Sequence, residues 1–193
     1  MAPTKPKKTA GPPRSEGPAA STVRVSRSGR SPVRASARAL EKQAERMLAT
    51  LGLEGAELSI ALVDDPTIHA LNKAYRKKDK PTDVLSFAQH DDALSLAKGA
   101  QAQRARAAKP SAAQGLLLGD VIVSLDTAAR QAAERDRSLA AELTTLLAHG
   151  VLHLAGFDHR TDDEEREMNA YAAVLEAAAL AKKPLRLALR ERR

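Results

Sequence analysis

The chain has 193 residues, a net charge of +7 and no cysteine, and 43% of its residues are hydrophobic. This length suffices for one domain with a hydrophobic core, and the lack of cysteine excludes disulfides and thiolate metal ligands. No apolar run reaches the roughly 18 residues of a membrane-spanning helix, and the N-terminal segment lacks the apolar stretch of a secretory signal, so we expect a cytoplasmic protein without a membrane partner.

The positive charge is concentrated at the two ends of the chain. Residues 1–38 contain nine Lys and Arg and one acid, and residues 182–193 contain six Lys and Arg and one acid. The segment between them, 39–181, contains sixteen Lys and Arg against twenty-two Asp and Glu, and is therefore acidic. Basic ends attract nucleic acid by releasing its counterions, and they serve equally well as solubilising tails.

The N-terminal part predicts a disordered extension followed by a strand, a helix and a second strand. Residues 1–21 are rich in Pro, Lys, Ala, Gly and Ser and cannot bury enough surface to fold. Thr22–Ser26 alternates apolar and polar residues as an edge strand does, and Ala35–Leu51 has the apolar spacing of an amphipathic helix. Glu57–Val63 again alternates and predicts a strand.

In the central part, the turn Asp64-Asp65-Pro66 opens a helix that runs to about Arg76, with Pro in its first turn. A charged loop follows at Lys77–Thr82, and a short buried strand at Asp83–Ala88. An insertion then spans Gln89–Leu116, and another strand spans Gly119–Ser124. The insertion is too long for an ordinary connection and is dominated by Ala, Gln, Lys and Arg, so we expect it to be flexible.

The C-terminal part predicts three helices. Thr127–Arg135 and Leu139–Leu154 have helical spacing, and the capping-box pattern Thr161–Glu164 starts a last helix that runs to about residue 181. The expected folded domain is therefore 22–181, followed by a basic tail at 182–193. Helices alternate with a few strands, which indicates an α+β (mixed α/β) fold with a small sheet.

Three of the five histidines lie within the eleven residues His149–His159. His149 and His153 are four residues apart on the predicted helix, so both side chains lie on one face about 6 Å apart. Gly156 can end the helix in the left-handed conformation and return His159 to the same ion. Three imidazole ligands leave one position of a tetrahedral Zn²⁺ open for a water, whose pKa the metal lowers toward about 7. Nickel, manganese or iron also suit imidazole.

The same spacing, H-x3-H-x2-G-x2-H, occurs in zincin-like metallopeptidases of the metzincin type. Those enzymes carry Glu directly after the first His, where it activates water. The corresponding residue here is Gly150, which has no side chain, so a peptidase would need a base from elsewhere in the chain.

Further polar residues are candidates for the site. Arg76, at the start of a charged loop, can hold a phosphate through two parallel hydrogen bonds, although the residues alone favour a solvated charge cluster. Glu142 lies two helical turns before the first of the three histidines and can support a metal ligand, act as a distant base or be an exposed helix residue. Asp158 can orient a ligand imidazole or form a turn. We interpret His69 and His90 as surface residues.

Taken together, these segments resemble the YbeY family of bacterial endoribonucleases. Four stretches carry the resemblance, Glu57–Asp65, Leu71–Phe87, Leu118–Arg130 and His149–His159. The resemblance implies a small mixed sheet of about four strands surrounded by helices, one of which binds the metal. It also implies that His149, His153 and His159 are the zinc ligands and that Arg76 lies beside the metal.

The activity implied by this resemblance is the metal-dependent hydrolysis of single-stranded RNA. It would serve maturation of the 3′ end of the small-subunit rRNA and ribosome quality control, with the small ribosomal subunit and its assembly factors as partners. The expected catalytic groups are Arg76 and a metal-bound water, without an assigned protein base. The alternatives are a zincin-like metallopeptidase and a non-enzymatic ribosome assembly factor with a structural metal.

Overall fold

The computed structural model describes residues 21–93, 95, 115–158 and 160–181. The predicted basic extension, most of the predicted insertion and the basic tail lie outside these residues. The described elements are, in chain order, β1 Thr22–Arg27, α1 Ala37–Thr50, β2 Glu57–Val63, α2 Asp65–Arg76, β3 Val84–Ala88, β4 Leu117–Ser124, α3 Leu125–Glu134, α4 Leu139–Leu154 and α5 Asp162–Leu180. This arrangement confirms the α+β prediction.

The four described strands form one mixed sheet in the order β1-β2-β4-β3. Strands β1, β2 and β4 are parallel to one another, and β3 runs antiparallel to β4. Strand β1 lies at one edge, as predicted, and β3 forms the other edge. The pairing of β2 with β4 is irregular next to Gly119, which adopts a φ of +130° and lies too close to the Phe87 carbonyl oxygen to accommodate a Cβ atom.

Helices cover both faces of the sheet. Helices α1 and α4 pack on one face of the sheet, and α5 packs on those two helices. The main hydrophobic core lies among these helices and the sheet. Helix α2 packs on the opposite face over a small cluster formed by Val63, Ile68 and Leu85. Within the described part of the chain, no helix is long and apolar enough to span a bilayer.

Side chains define where the helices begin. The predicted capping box is confirmed, because the Thr161 hydroxyl accepts from the Glu164 backbone while the Glu164 carboxylate accepts from the Thr161 backbone. Helix α3 begins at Leu125, two residues before the predicted start at Thr127. The Ser124 hydroxyl caps this helix by accepting from the Thr127 backbone, and Leu125 is buried as its first residue.

A carboxylate at the start of α2 joins that helix to the end of β4. Asp65 accepts hydrogen bonds from the hydroxyls of Ser124 and Thr127 at 2.5 and 2.7 Å, and from the Arg130 guanidinium at 2.8 Å. Asp64, the N-cap of α2, accepts from the Thr67 backbone. These contacts fix the direction of α2 and therefore the position of Arg76 at its other end.

Candidate active site

Two adjoining cavities open where the edge strand β3 faces α4 and the C-terminal end of α2. The first has a volume of about 550 Å³, and we call it the basic cavity. Its charged lining consists of four basic and two acidic side chains, Arg76, Lys78, Lys80, Arg135, Asp83 and Glu142. The second has a volume of about 640 Å³, and we call it the acidic cavity. Its charged lining consists of two basic and three acidic side chains, Arg76, Arg160, Asp91, Asp158 and Glu164. The cavities meet at Arg76, Ser86 and His153, which line both of them.

Helix α4 presents two histidines at this junction. His149 and His153 both line the basic cavity and are half-buried. The Nδ1 atom of His149 lies 3.1 Å from the Thr145 carbonyl oxygen, and the Nδ1 atom of His153 lies 3.1 Å from the Phe157 carbonyl oxygen. A neutral imidazole that donates from Nδ1 carries its lone pair on Nε2, which is the tautomer for metal coordination through Nε2. The donor set therefore fits a divalent ion.

The third predicted ligand, His159, lies outside the described residues. Within the described ranges, no group of three His, Cys, Asp or Glu side chains has the arrangement of a metal site. Gly156, which precedes this segment, adopts a φ of +94°, the left-handed conformation predicted for the residue that ends the helix. The assignment of the three metal ligands stays a prediction.

Arg76 is the last residue of α2 and lines both cavities. The following loop is held by Lys77 in the left-handed conformation, with a φ of 59°, and by the Asn72 side chain, which donates to the Lys80 carbonyl oxygen at 2.8 Å. Arg76 is exposed and forms no ion pair with any described residue. A guanidinium without a carboxylate partner, at the junction of two cavities, suits a phosphate ligand.

The carboxylates that the sequence associated with the metal form ion pairs with arginines. Glu142 is buried and pairs with Arg135, although it also lines the basic cavity. Asp158 pairs with Arg160 at 2.5 Å and lines the acidic cavity. The Nδ1 atom of His149 faces a backbone carbonyl oxygen and not Glu142. The alternative that Glu142 is an exposed helix residue is wrong, because its side chain is fully buried. Its support of a metal ligand stays a prediction.

Sequence reasoning missed two residues of the site. His90, interpreted as a surface histidine, lines the acidic cavity, which His153 also lines. Arg135, the residue that follows α3, lines the basic cavity, as Arg76 does. No spacing rule marks either residue, because each reaches the site through the packing of its element against α4. His69, the other predicted surface histidine, lies on α2 and contacts Asp79 in the loop that follows this helix.

Gly150 lies against the sheet. A Cβ atom at this position would approach Cγ1 of Val121 to 2.6 Å, and the Ser86 hydroxyl donates to the Gly150 carbonyl oxygen at 3.3 Å. The absent side chain lets α4 approach β3 and β4 closely, which brings its histidines to the edge of the sheet. The position that holds the base in metzincin peptidases thus contacts the sheet in this chain.

Comparisons with known proteins agree with this architecture. A family model described as Endoribonuclease YbeY matches residues 27–178. A protein named Endoribonuclease YbeY from Aquifex aeolicus is 43% identical over 136 residues, which are 68% of this chain and 78% of that protein. A protein of the same name from Anaeromyxobacter dehalogenans is 46% identical over 142 residues, 74% of this chain and 64% of its own length. One from Myxococcus xanthus is 46% identical over 69% of this chain and 40% of its own length.

The fold is also similar to a solved structure. The solution structure of a Thermotoga maritima protein superimposes with a TM-score of 0.53 at 23% identity and covers 82% of this chain and 89% of its own. At this level of identity, the similarity concerns the fold alone.

Proposed function

The chain belongs to the endoribonuclease YbeY family, and we propose that it cleaves single-stranded RNA during maturation of the small-subunit rRNA. The observation that supports this function best is the junction of the two cavities. There, Arg76 on α2, which forms no ion pair with any described residue, lines the same cavity as two histidines of α4 whose Nδ1 atoms lie 3.1 Å from backbone carbonyl oxygens. Phosphate recognition and metal binding are thus possible at one place.

We infer that His149, His153 and His159 hold one Zn²⁺. When bound, this ion supplies a Lewis acid for the phosphate and lowers the pKa of water into the neutral range. Arg76 contributes the protein's own charge. Attack on phosphorus, by water or by the adjacent 2′-hydroxyl, builds negative charge on the phosphoryl oxygens, and a guanidinium already in place stabilises that charge without reorganisation. The carbonyl groups of Thr145 and Phe157 keep the two imidazoles oriented.

A metallopeptidase is a less suitable interpretation of the same histidines. The position that carries the base in metzincin peptidases is Gly150 here, and a side chain there would overlap Val121 and would be directed at the sheet, so a base would have to come from elsewhere in the chain. Among partners, we propose the small ribosomal subunit and its assembly factors, and hence a cytoplasmic location. The basic ends of the chain support an RNA-rich partner, because they offset the repulsion between RNA and the acidic segment 39–181.

The test is cleavage of a single-stranded RNA by highly purified protein, with the metal content measured by mass spectrometry. We expect Arg76→Ala to lower kcat by about 10²- to 10³-fold with metal content unchanged. His153→Ala should lower both kcat and metal content. Lys73→Ala, an exposed change on the same helix as Arg76, serves as the control and should leave kcat unchanged.

Two results would contradict the proposal. Cleavage by the His153→Ala and Arg76→Ala variants at the rate of the wild type would identify a contaminating nuclease. Absence of cleavage by the metal-loaded wild type, together with normal ribosome assembly in cells that carry His153→Ala, would instead favour a non-enzymatic assembly factor.

A further inference from the structure

Glu142 is a fully buried carboxylate at the wall of the basic cavity, and its 0% exposure requires a partner of opposite charge. Its Oε1 atom accepts a hydrogen bond from Nη1 of Arg135. Its Oε2 atom lies 3.5 Å from Nη1 of Arg137 and accepts no hydrogen bond from any described residue. One carboxylate thus faces two guanidinium groups, and the group of three keeps a net positive charge.

The two arginines differ in what else they contact. Arg137 donates through Nη2 to the Thr145 hydroxyl at 2.9 Å and lies 3.8 Å from Glu176 of α5, so its guanidinium joins helices. The side chain of Arg135 is 51% exposed and lines the basic cavity. Its ion pair uses Nη1, and its Nε and Nη2 atoms donate to no described residue. Arg135 therefore keeps two parallel donors for a ligand, the geometry that matches a phosphate.

The charges of the two cavities indicate where an RNA backbone extends. From Arg76, the basic cavity continues along Lys78 and Lys80 and has Arg135 in its wall, whereas three of the five charged side chains of the acidic cavity are carboxylates. Phosphates are attracted to the first environment and repelled by the second.

We propose that Arg135 is a second phosphate-binding residue and that Glu142 is the positioning residue that holds it. In this arrangement, the scissile phosphate lies at Arg76, and the RNA strand continues into the basic cavity, where Arg135 binds a phosphate on one side of the cut. The inference rests on the proposed function, because it takes RNA as the substrate.

The first experiment measures the binding of a fluorescent single-stranded RNA by anisotropy over a range of salt concentrations. Arg135→Ala should weaken binding about tenfold at low salt. It should also reduce the slope of log K against log salt by about 0.7, the value for one single-strand phosphate contact. In cleavage assays, KM should rise while kcat stays the same. Arg135→Lys, which retains the ion pair with Glu142 but not the planar fork, should fall between the wild type and Arg135→Ala.

The matched control is Arg137→Ala, because Arg137 faces the same carboxylate but does not line the basic cavity. It should lower thermal stability and leave the salt slope unchanged. A salt slope that falls equally in Arg135→Ala and Arg137→Ala would show a general charge effect and would overturn the proposal.

The role of Glu142 is tested by a double-mutant cycle. Glu142→Gln should weaken RNA binding in the wild-type background, because Arg135 loses its anchor, and should have no further effect in the Arg135→Ala background. Additive losses in the cycle would mean that Glu142 acts independently of Arg135, and positioning would be rejected.

The place of the contact is tested with RNAs that carry one uncharged methylphosphonate linkage at successive positions. For the wild type, substitutions that weaken binding should lie mainly on one side of the cut, and Arg135→Ala should lose its sensitivity at a single linkage there. An unchanged profile in Arg135→Ala would refute the phosphate contact while leaving the endoribonuclease intact. A wild type that binds RNA without cleaving it would contradict the proposed function, and the binding profile would still decide the role of Arg135.

Discussion

Gly150 carries no functional group, yet its missing side chain determines where the two histidines of α4 lie. In an open helix, Gly→Ala would stabilise by about 0.5–1 kcal/mol. Here the new Cβ would approach Val121 to 2.6 Å, so α4 must shift away from the sheet. We expect Gly150→Ala to lower the free energy of unfolding by about 1–3 kcal/mol, measured by urea denaturation, and to reduce kcat by displacing His149 and His153.

The cause of that loss can be isolated with a second substitution. Val121→Ala alone leaves a cavity in the core and should destabilise the protein. Adding Gly150→Ala to Val121→Ala should then have no cost or should stabilise, because the new methyl group occupies the vacated space. A similar destabilisation by Gly150→Ala in both backgrounds would show that contact with Val121 is not the cause.

The residues of the site were predictable from the sequence to different degrees. His149 and His153 follow from helical spacing, because an i, i+4 pair on a regular helix has only one geometry. The proximity of Arg76 came from the resemblance, since the residues alone favoured a surface charge. Arg135 could not be predicted, because the loop between α3 and α4 and the burial of Glu142 bring it to the cavity, and neither has a spacing signature.

At the scale of elements, the boundaries were predictable where a local side chain decides them. The capping box of α5 and the Pro in the first turn of α2 are confirmed, since both depend on contacts within one turn. The predicted start of α3 was wrong by two residues, because Ser124 ends β4 and caps the helix at the same time. Strand order was not predictable, because the parallel pairing of β1 with β2 depends on the packing of α1 across that face.

The network that joins α2 to β4 and α3 predicts a pH dependence of stability. Burial opposes ionisation of Asp65, but hydrogen bonds from Ser124, Thr127 and Arg130 outweigh it and hold the pKa of that carboxyl below its ordinary value of 3.8. Below pH 4, the unfolded chain therefore binds more protons than the folded one, and stability falls as the pH falls through this interval. The contribution of Asp65 is fully present at neutral pH.

We expect Asp65→Asn to destabilise the protein at pH 7 and to flatten the decline of unfolding free energy between about pH 5 and pH 2. Urea denaturation across that range measures both effects. Asp163→Asn, at an exposed acid of α5, is the control and should leave the decline unchanged. If Asp65→Asn and the wild type lost stability in parallel on acidification, the network would not be a source of the pH dependence.

At the scale of the whole molecule, the two ends of the chain are basic, whereas the segment between them is acidic. The segment 39–181 has an excess of acids, although four basic and two acidic side chains line the basic cavity. If RNA binds as proposed, the ends of the chain supply its long-range attraction, and the basic cavity determines the position of the strand in the site. Attraction from exposed charges weakens with salt, because ions screen it beyond about 10 Å at 0.1 M.

This division of roles predicts the effect of removing residues 182–193, which contain six Lys and Arg and one acid. Helix α5 ends at Leu180, so the deletion leaves its packing on α1 and α4 intact, and thermal stability should not change. RNA binding should weaken by on the order of tenfold at low salt and converge with the wild type at high salt. A variant with these six basic residues replaced by Gln should behave as the deletion does. Both should retain the kcat and the cut site of the wild type, because neither alters Arg76 or the α4 histidines; unchanged low-salt binding would instead identify the tail as a solubilising segment.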